Sequence, residues 1–279
     1  MDKTIKLIID EIVNNSRTDK SLLSLSLAGS FTSPDKKLES SNDLDFVFIY
    51  EELTPKILDN IKHLAANIKK KYSSDKINID HTLRIGPIKM PLEKPQNILI
   101  HFLVYSRDAY FKYESVLTRY SFQHYPPLLG WPLKEINNFK EVIDLDLFNE
   151  IDGIPAMKYW IKKKKVHYVE PTKEGYKITE SKLENEAYLE VIFYSVLWLA
   201  NNMLRTFDSY HPNIDKAMCD DFNIKIPIKS HEFPLKAYNY KNKLRKKEAI
   251  SDKETEEIRI GSLKFITECE SYLRMLQTK

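Results

Sequence analysis

The sequence predicts an α+β protein in which an N-terminal mixed sheet with helices is followed by a C-terminal α-helical bundle. Residues 1–125 alternate predicted helices and strands, whereas residues 181–279 carry apolar residues mainly at helical spacing. Residues 126–180 mix a proline-rich segment with shorter apolar patterns, and we interpret them as a connector and extension. A chain of 279 residues is long enough for such a division into domains.

In the first domain the predicted order is helix, strand, strand, helix, strand, strand. Apolar residues three and four positions apart predict the helices, and short apolar runs or alternating patterns predict the strands. Thr54 and Pro55 mark the start of the second helix, as an N-cap and a proline in the first turn. The predicted helices are residues 3–16 and 55–72, and the predicted strands are residues 21–28, 46–50, 77–85 and 97–105.

The rest of the chain is predicted to be mostly helical. A helix is expected at 109–120, before the stiff proline-containing connector. Ser181 and Glu184 have the spacing of a capping box, which predicts the start of a long helix. That helix should end before His211 and Pro212. Further helices are predicted at about 214–222, 233–246 and 252–276.

Composition limits the classes of function only loosely. There are 43 Lys and Arg residues against 40 Asp and Glu, so the formal net charge of +3 neither demands nor excludes a nucleic-acid partner. Cys219 and Cys269 lack the number and spacing of a disulfide framework or a metal site. The N-terminus does not resemble a signal peptide, and no run approaches a membrane span. We therefore expect a cytoplasmic protein without a membrane partner.

The stretch from Gly29 to Asp45 carries the clearest chemical signal. Gly29 and Ser30 end the first predicted strand, and Asp43 and Asp45 open the second. Residues two apart on a strand share a face, and two close carboxylates repel each other unless a cation lies between them. Oxygen ligands of this kind suit Mg²⁺, while free N–H groups of a Gly-Ser turn suit phosphate. The alternative is a hairpin with an acidic, solvated lip.

Gly29-Ser30, twelve intervening residues and Asp43-Leu44-Asp45 resemble the signature of the nucleotidyltransferase superfamily, whose fold is that of DNA polymerase β. The resemblance implies that the N-terminal domain is a nucleotidyltransferase core. It also implies an enzyme that transfers a nucleoside monophosphate from an NTP, with Mg²⁺ as cofactor. By that resemblance, Gly29 and Ser30 would bind the nucleotide phosphates, and Asp43 and Asp45 would bind the metal.

The second half is similar to the bacterial aminoglycoside adenylyltransferases that act on streptomycin and spectinomycin. The similarity lies in Leu128–Leu133, Pro212–Ala217, Ile226-Pro227 and Leu235–Tyr238. It implies that AMP is moved from ATP to a hydroxyl of a small molecule such as an antibiotic, hence antibiotic resistance. By the same resemblance Lys216 would contact the nucleotide phosphates, although a surface helix lysine is an equal alternative.

One position departs from the superfamily pattern. A third carboxylate is expected on a later strand, and in the aligned register this chain has His101 there. Imidazole is a poor ligand for Mg²⁺. Three interpretations stay open: Asp80 supplies the third carboxylate, His101 acts as a substitute base, or the site binds nucleotide without turnover. Glu186 and Glu190 are further candidates, as bases on the acceptor side.

Three other functions are compatible with the sequence. A transferase toxin acting on tRNA would use the basic runs Lys162–Lys165 and Lys241–Lys247, which are otherwise solvated helix ends. An RNase of the HEPN type would use Arg205 and His211, which have that family's spacing. If the protein bound nucleotide without catalysing a reaction, this would explain why His101 stands at the position of the expected third carboxylate. The sequence does not identify the acceptor, the NTP or the oligomeric state.

Overall fold

The computed structural model describes residues 2–32, 41–86, 96–114, 116–139, 143–207, 209, 211 and 214–278. The chain divides into two compact units that interleave along the sequence. The first consists of Met1–Lys140 and His167–Thr179, and the second of Glu141–Val166 and Glu180–Lys279. The domain boundaries that we expected at residues 125 and 180 remain predictions.

The described part of the first unit contains a mixed five-stranded sheet in the order β3-β4-β2-β1-β5. Strand β2 pairs in parallel with β4 and antiparallel with β1, and β3 joins the far side of β4 in parallel. This confirms the predicted mixed sheet. The strands are β1 Leu22–Ala28, β2 Ser41–Tyr50, β3 Ile77–Thr82, β4 Gln96–Ser106 and β5 Pro127–Gly130. The helices are α1 Lys3–Ser16, α2 Pro55–Tyr72, α3 Arg107–Tyr113, α4 Val116–Phe122 and α5 Leu133–Asn137.

Helices α1 and α2 cover one face of this sheet because each has one apolar side. Ile8 of α1 and Ile61 of α2 share a buried cluster with Phe46 and Phe102 of the sheet. Burying a side chain of this size stabilises the fold by roughly 1.5–3 kcal/mol. The Thr54 hydroxyl accepts a hydrogen bond from the backbone N–H of Ile57, and so caps α2 as predicted.

Side-chain alternation along β2 separates the two faces of the sheet. Leu44 and Phe46 belong to the cluster under α1 and α2, whereas Val47 and Ile49 belong to a second cluster on the opposite face. Because residues two apart point the same way, Asp43 and Asp45 lie on the face opposite to α1 and α2. Strand β2 thus places apolar side chains in the core under α1 and α2, and it places the carboxylates of Asp43 and Asp45 on the opposite face of the sheet.

A β-hairpin of β6 Lys165–Thr172 and β7 Gly175–Lys182 contributes its tip to the first unit. There Ile85 pairs antiparallel with Val169, with backbone N···O distances of 2.9 and 3.0 Å. Gly86 lies so close to the hairpin that a Cβ atom would come within 2.8 Å of the Tyr168 ring. The hairpin therefore holds the segment that follows β3.

The second unit is a helical bundle, as predicted for residues 181–279, and it also contains a helix at Ile143–Lys163, within the segment expected to be a connector. Its central helix is α7, Asn185–Arg205. The buried side chains of α7 extend around the helix, and α7 packs against α6, α8, α9 and α10. It is also the one helix in the described ranges that is long and apolar enough to cross a membrane, but 78% of that window is buried in the protein. The helices are α6 Ile143–Lys163, α7 Asn185–Arg205, α8 Lys216–Lys225, α9 Phe233–Arg245 and α10 Asp252–Gln277.

Some local predictions were wrong. Ser181 pairs within β7 and does not cap a helix, and α7 begins at Asn185 after Glu184, whose side chain makes no capping hydrogen bond. The capping box of this bundle is formed instead by Ser251 and Glu254 at the start of α10. The helix expected at 109–120 is two short helices, α3 and α4.

We predict that Gly130→Ala lowers the free energy of unfolding by about 3 kcal/mol. Gly130 has a φ of 74°, and a Cβ atom there would lie 2.2 Å from the Leu23 carbonyl oxygen of the neighboring strand. Gly175→Ala is the matched control, because Gly175 also has a positive φ but has open space around it. Urea unfolding of both variants measures the difference, and equal losses would contradict the packing argument.

Candidate active site

The pairing of β2 with β4 brings two of the predicted site residues into contact. In this parallel ladder Asp43 lies beside Leu99, and Asp45 lies beside His101. His101 Nδ1 is 3.2 Å from Asp45 Oδ1. The side chains of His101 and Asp45 are 12% and 29% exposed, so the pair is shielded but reachable from solvent. Asp43, Asp45 and His101 thus share one face of the sheet, as the alternation of the strands requires.

Gly29 lies directly against this acidic pair. It follows β1, whose last residue Ala28 pairs with Asp45 across the antiparallel ladder. The φ of Gly29 is 77°, and a Cβ atom would lie 3.0 Å from Asp45 Oδ2. Glycine is therefore favored here both by the backbone conformation and by the close carboxylate. The turn continues as a 3₁₀ segment, Ser30–Thr32, and the Ser30 side chain lies outside the described part.

Both nitrogen atoms of the His101 ring face hydrogen-bond acceptors. Nδ1 faces the Asp45 carboxylate, and Nε2 is 2.5 Å from the backbone carbonyl oxygen of Arg84. Burial lowers the pKa of the ring, but the hydrogen bond and charge of Asp45, the Arg84 carbonyl and the charge of Asp43 outweigh it. The pKa of His101 is therefore raised. A ring in this arrangement is suited to donating hydrogen bonds to Asp45 and Arg84.

Asp80, the alternative third carboxylate, has different partners. Its Oδ1 atom accepts hydrogen bonds from Lys69 Nζ at 3.0 Å and from the backbone N–H of His81 at 2.9 Å. Burial raises the pKa of Asp80, but these two hydrogen bonds outweigh it and the pKa is lowered. In the sheet register Leu99 stands between Asp80 and Asp43, which puts the two aspartates about 9.5 Å apart in backbone position. A metal role for Asp80 remains a prediction.

The carboxylates of Asp43 and Asp45 are suitable ligands for Mg²⁺. Among the residues that the structure describes, no group of three or more His, Cys, Asp and Glu side chains is arranged to hold a metal ion. Mg²⁺ is commonly held by one or two carboxylates and completes its octahedral shell with water and substrate phosphate. Asp43 and Asp45 are two carboxylates on one face of β2, and the turn at Gly29 lies beside Asp45. Their role as metal ligands remains a prediction.

The remaining predicted site residues belong to the second unit. Lys216 is the first residue of α8 and its side chain is 71% exposed. Its Nζ atom lies 3.7 Å from Asp220 Oδ2. Glu186 is in the first turn of α7, and Glu190 is half-buried one turn further on. Their roles as phosphate contact and acceptor-side bases remain predictions.

His211 takes part in a hydrogen-bonded cluster at one end of α8. Its Nε2 atom is 3.0 Å from Asp221 Oδ2, and its backbone is held by the Asn201 side chain. Ser209 donates to the same carboxylate, and Lys225 Nζ lies 3.0 Å from it. This cluster holds Ser209 and His211 against α8. It gives His211 a structural role, and the RNase pattern with Arg205 stays a hypothesis.

Three contacts of the site carry no sequence signal. They are the carbonyl of Arg84, the pairing of Ile85 with Val169, and the ion pair of Arg84 with Glu170. A backbone carbonyl can be presented by any residue type. The contact between the Arg84 carbonyl and His101 can be recognised only once the positions of the hairpin and of strand β4 are known.

No protein-family model matches this chain, and no curated protein sequence matches it significantly. Its fold is nevertheless shared with solved structures. Comparison with solved structures finds a spectinomycin adenyltransferase, AAD(9) from Enterococcus faecialis, which was crystallised with ATP and spectinomycin. The TM-score is 0.55 at 12% sequence identity, and the match covers 95% of this chain and 99% of that chain. At this identity the likeness shows the fold.

We predict that Asp221→Asn destabilises the protein at neutral pH by about 2 kcal/mol. Burial raises the pKa of Asp221, but its hydrogen bonds from Ser209, His211 and Lys225 lower it overall, from 3.8 to about 2. A carboxyl group with a lowered pKa in the folded state stabilises the fold above its unfolded pKa. This contribution is lost as the pH falls from about 4 to about 2.

The test compares urea unfolding of Asp221→Asn and the unsubstituted protein at several pH values. Asp220→Asn is the matched control, because among the described contacts Asp220 forms an exposed ion pair with Lys216, which contributes little. The difference caused by Asp221→Asn should shrink as the pH falls through this window. A loss that is constant with pH would show that the cluster does not depend on the charge of Asp221.

Proposed function

We propose that this protein is a nucleotidyltransferase that moves a nucleoside monophosphate, most simply AMP, from an Mg²⁺-bound NTP to a hydroxyl group of a small molecule such as an antibiotic. The observation that carries the proposal is the arrangement of Asp43 and Asp45 on one face of the sheet, with the Gly29 turn packed against Asp45. This arrangement lies in the same kind of fold as an antibiotic adenylyltransferase.

In this proposal each residue has a physical task. Asp43 and Asp45 hold the metal, and the metal, when bound, offsets the negative charge of the phosphates. Gly29 keeps its side of the turn free of a Cβ atom, so that a phosphate group has close access to the backbone. The acceptor hydroxyl oxygen forms a bond to the α-phosphorus while the bond to the leaving pyrophosphate breaks. The transferred group is NMP, and the hydroxyl proton is released.

A small acceptor is favored over RNA because part of the charge of both basic runs is already neutralised. Lys165 forms an ion pair with Glu180, and Lys243 with Glu254. Nucleic-acid binding instead needs several lysines available to phosphate groups. A cytoplasmic location, where ATP is present, belongs to the same proposal.

A second candidate function is nucleotide binding without turnover. The observation that favors it is the position of His101, which faces acceptors with both ring nitrogens at the place where a third carboxylate is expected. A ring with no free nitrogen lone pair cannot take the proton of an attacking hydroxyl. In this alternative Asp43, Asp45 and Gly29 would bind the metal nucleotide as a sensor or partner.

We predict that pyrophosphate release from ATP with Mg²⁺ depends on an acceptor and falls at least about a hundredfold in Asp43→Asn and in Asp45→Asn. The panel of acceptors contains aminoglycosides, lincosamides and bulk tRNA, and GTP, CTP and UTP are tested after ATP. Asp59→Asn is the control, because it removes a carboxylate of α2 that pairs only with Lys173 in the described contacts.

The outcomes separate the candidates. Release that survives Asp45→Asn would contradict the proposed site. Release that requires tRNA would favor the RNA-directed enzyme. No release with any acceptor, together with nucleotide binding that Asp43→Asn abolishes, would favor the second candidate.

A further inference from the structure

We propose that the first unit carries a second small-molecule site, in an open cavity between α1, α2 and the end of β2. Its ligand is an uncharged molecule with several hydroxyl groups, of the size of a sugar or a cyclitol. The cavity has a volume of about 700 Å³, and small-molecule sites usually have roughly 300–1,000 Å³. Its lining residues lie between Asn15 and Asn67, so the site belongs wholly to the first unit.

This cavity is separate from the candidate active site. Tyr50, which lines it, belongs to the cluster under α1 and α2, whereas Asp43 and Asp45 lie on the opposite face of the sheet. Tyr50 also lies five residues beyond Asp45 on β2, which is about 16 Å along the strand. The proposal therefore does not depend on the proposed function, and a molecule in this cavity would not contact the acidic pair.

The hydroxyl group of Tyr50 is the first indication of a ligand. The residue is only 3% exposed and its ring stacks on Phe48, yet it lines the cavity. Burial and the charge of Asp19, another lining residue, raise the pKa of Tyr50, so its hydroxyl lies near that carboxylate. Among the residues that the structure describes, this hydroxyl has no hydrogen-bond partner. A shielded hydroxyl without a partner costs free energy, and a ligand in the cavity can supply one.

Asp19 provides a fixed acceptor in the same cavity. Its Oδ1 atom accepts hydrogen bonds from the backbone N–H and the hydroxyl of Ser21, at 3.0 and 2.5 Å. These bonds hold the carboxylate and leave its Oδ2 atom available. On the α2 side, Asn60 and Asn67 add side-chain amides, each of which can donate and accept. Ligand hydroxyl groups, which also donate and accept, match this mixture of polar groups.

The charges and the apolar part of the lining narrow the class of ligand. Among the described lining residues there is one carboxylate, Asp19, and one lysine, Lys56, and with His63 neutral these charges cancel. A site for a phosphate ester or a polyamine has an excess of one sign. Ile57 and Ile61 contribute a buried apolar floor, which suits the C–H groups of a sugar ring.

The experiment follows the isoleucine methyl signals of the whole chain by NMR during titration with four compounds. Glucose and myo-inositol are the neutral probes, glucosamine is the cationic probe and glucose 6-phosphate is the anionic probe. The signals of Ile57 and Ile61 report on the cavity, and Ile79, buried elsewhere in the same cluster, is the internal reference. We expect the neutral probes to shift Ile57 and Ile61 with roughly millimolar affinity, and to leave Ile79 unchanged.

Two substitutions test the polar groups. Tyr50→Phe removes the hydroxyl and keeps the ring, and Asn60→Ala removes an exposed amide of α2, so each should weaken binding about fivefold. Asn14→Ala is the matched control and should bind as the unsubstituted protein does, because Asn14 is exposed on α1 outside the cavity lining. Circular dichroism checks the folding of Tyr50→Phe. If that variant does not fold, Asn60→Ala decides, because its side chain is exposed.

The outcomes are distinct. No shift of Ile57 and Ile61 with either neutral probe, up to about 100 mM, would overturn the proposal. Shifts that persist undiminished in both Tyr50→Phe and Asn60→Ala would also overturn it, since the bound molecule would then not use these groups. Binding of glucosamine or glucose 6-phosphate alone would contradict an uncharged ligand. The pyrophosphate assay tests the acidic pair on the other face, so failure of either proposal is seen separately.

Discussion

The backbone hydrogen bonds between the parallel strands β2 and β4 determine which side chains meet on the open face of the sheet. Their register sets Asp45 beside His101 and Asp43 beside Leu99. A slip of one residue would turn both aspartates toward α1 and α2 and bury them among apolar side chains. The buried residues of these two strands, such as Phe46 and Phe102, oppose that slip. The core of the first unit therefore stabilises the geometry of the acidic pair.

The same register creates an electrostatic constraint. Asp43 and Asp45 are two negative groups on one face, and a fold that holds them there needs positive charge or hydrogen-bond donors close by. His101 of β4 lies within hydrogen-bond distance of Asp45, and the Arg84 carbonyl lies at the other ring nitrogen. In the proposed function a bound divalent cation would supply positive charge at this place. In that proposal His101, at the position where a third carboxylate was expected, changes how the charge of the two aspartates is neutralised.

Much of the first unit could be predicted from the sequence because its signals are local. Apolar periodicity located α1 and α2, Thr54 and Pro55 located the start of α2, and the Asp-Leu-Asp spacing placed both carboxylates on one face. The hairpin of β6 and β7 was missed because residues 126–180 were interpreted as a connector and extension, and its contact with Ile85 could not be predicted because it joins residues far apart in the chain. Ser181 and Glu184 were misread because strand pairing overrode a local capping pattern. The partners of His101 and Asp80 needed the register of the whole sheet.

The most direct test of the account is a crystal structure of the protein with Mn²⁺ and a non-hydrolysable ATP analog, with the metal located by its anomalous scattering. We predict a Mn²⁺ ion coordinated by Asp43 and Asp45, phosphate oxygens at the Gly29 turn, and His101 still within hydrogen-bond distance of the Arg84 carbonyl. A nucleotide bound away from the Gly29 turn, or a metal ion held by Asp80 without Asp43 and Asp45, would contradict it.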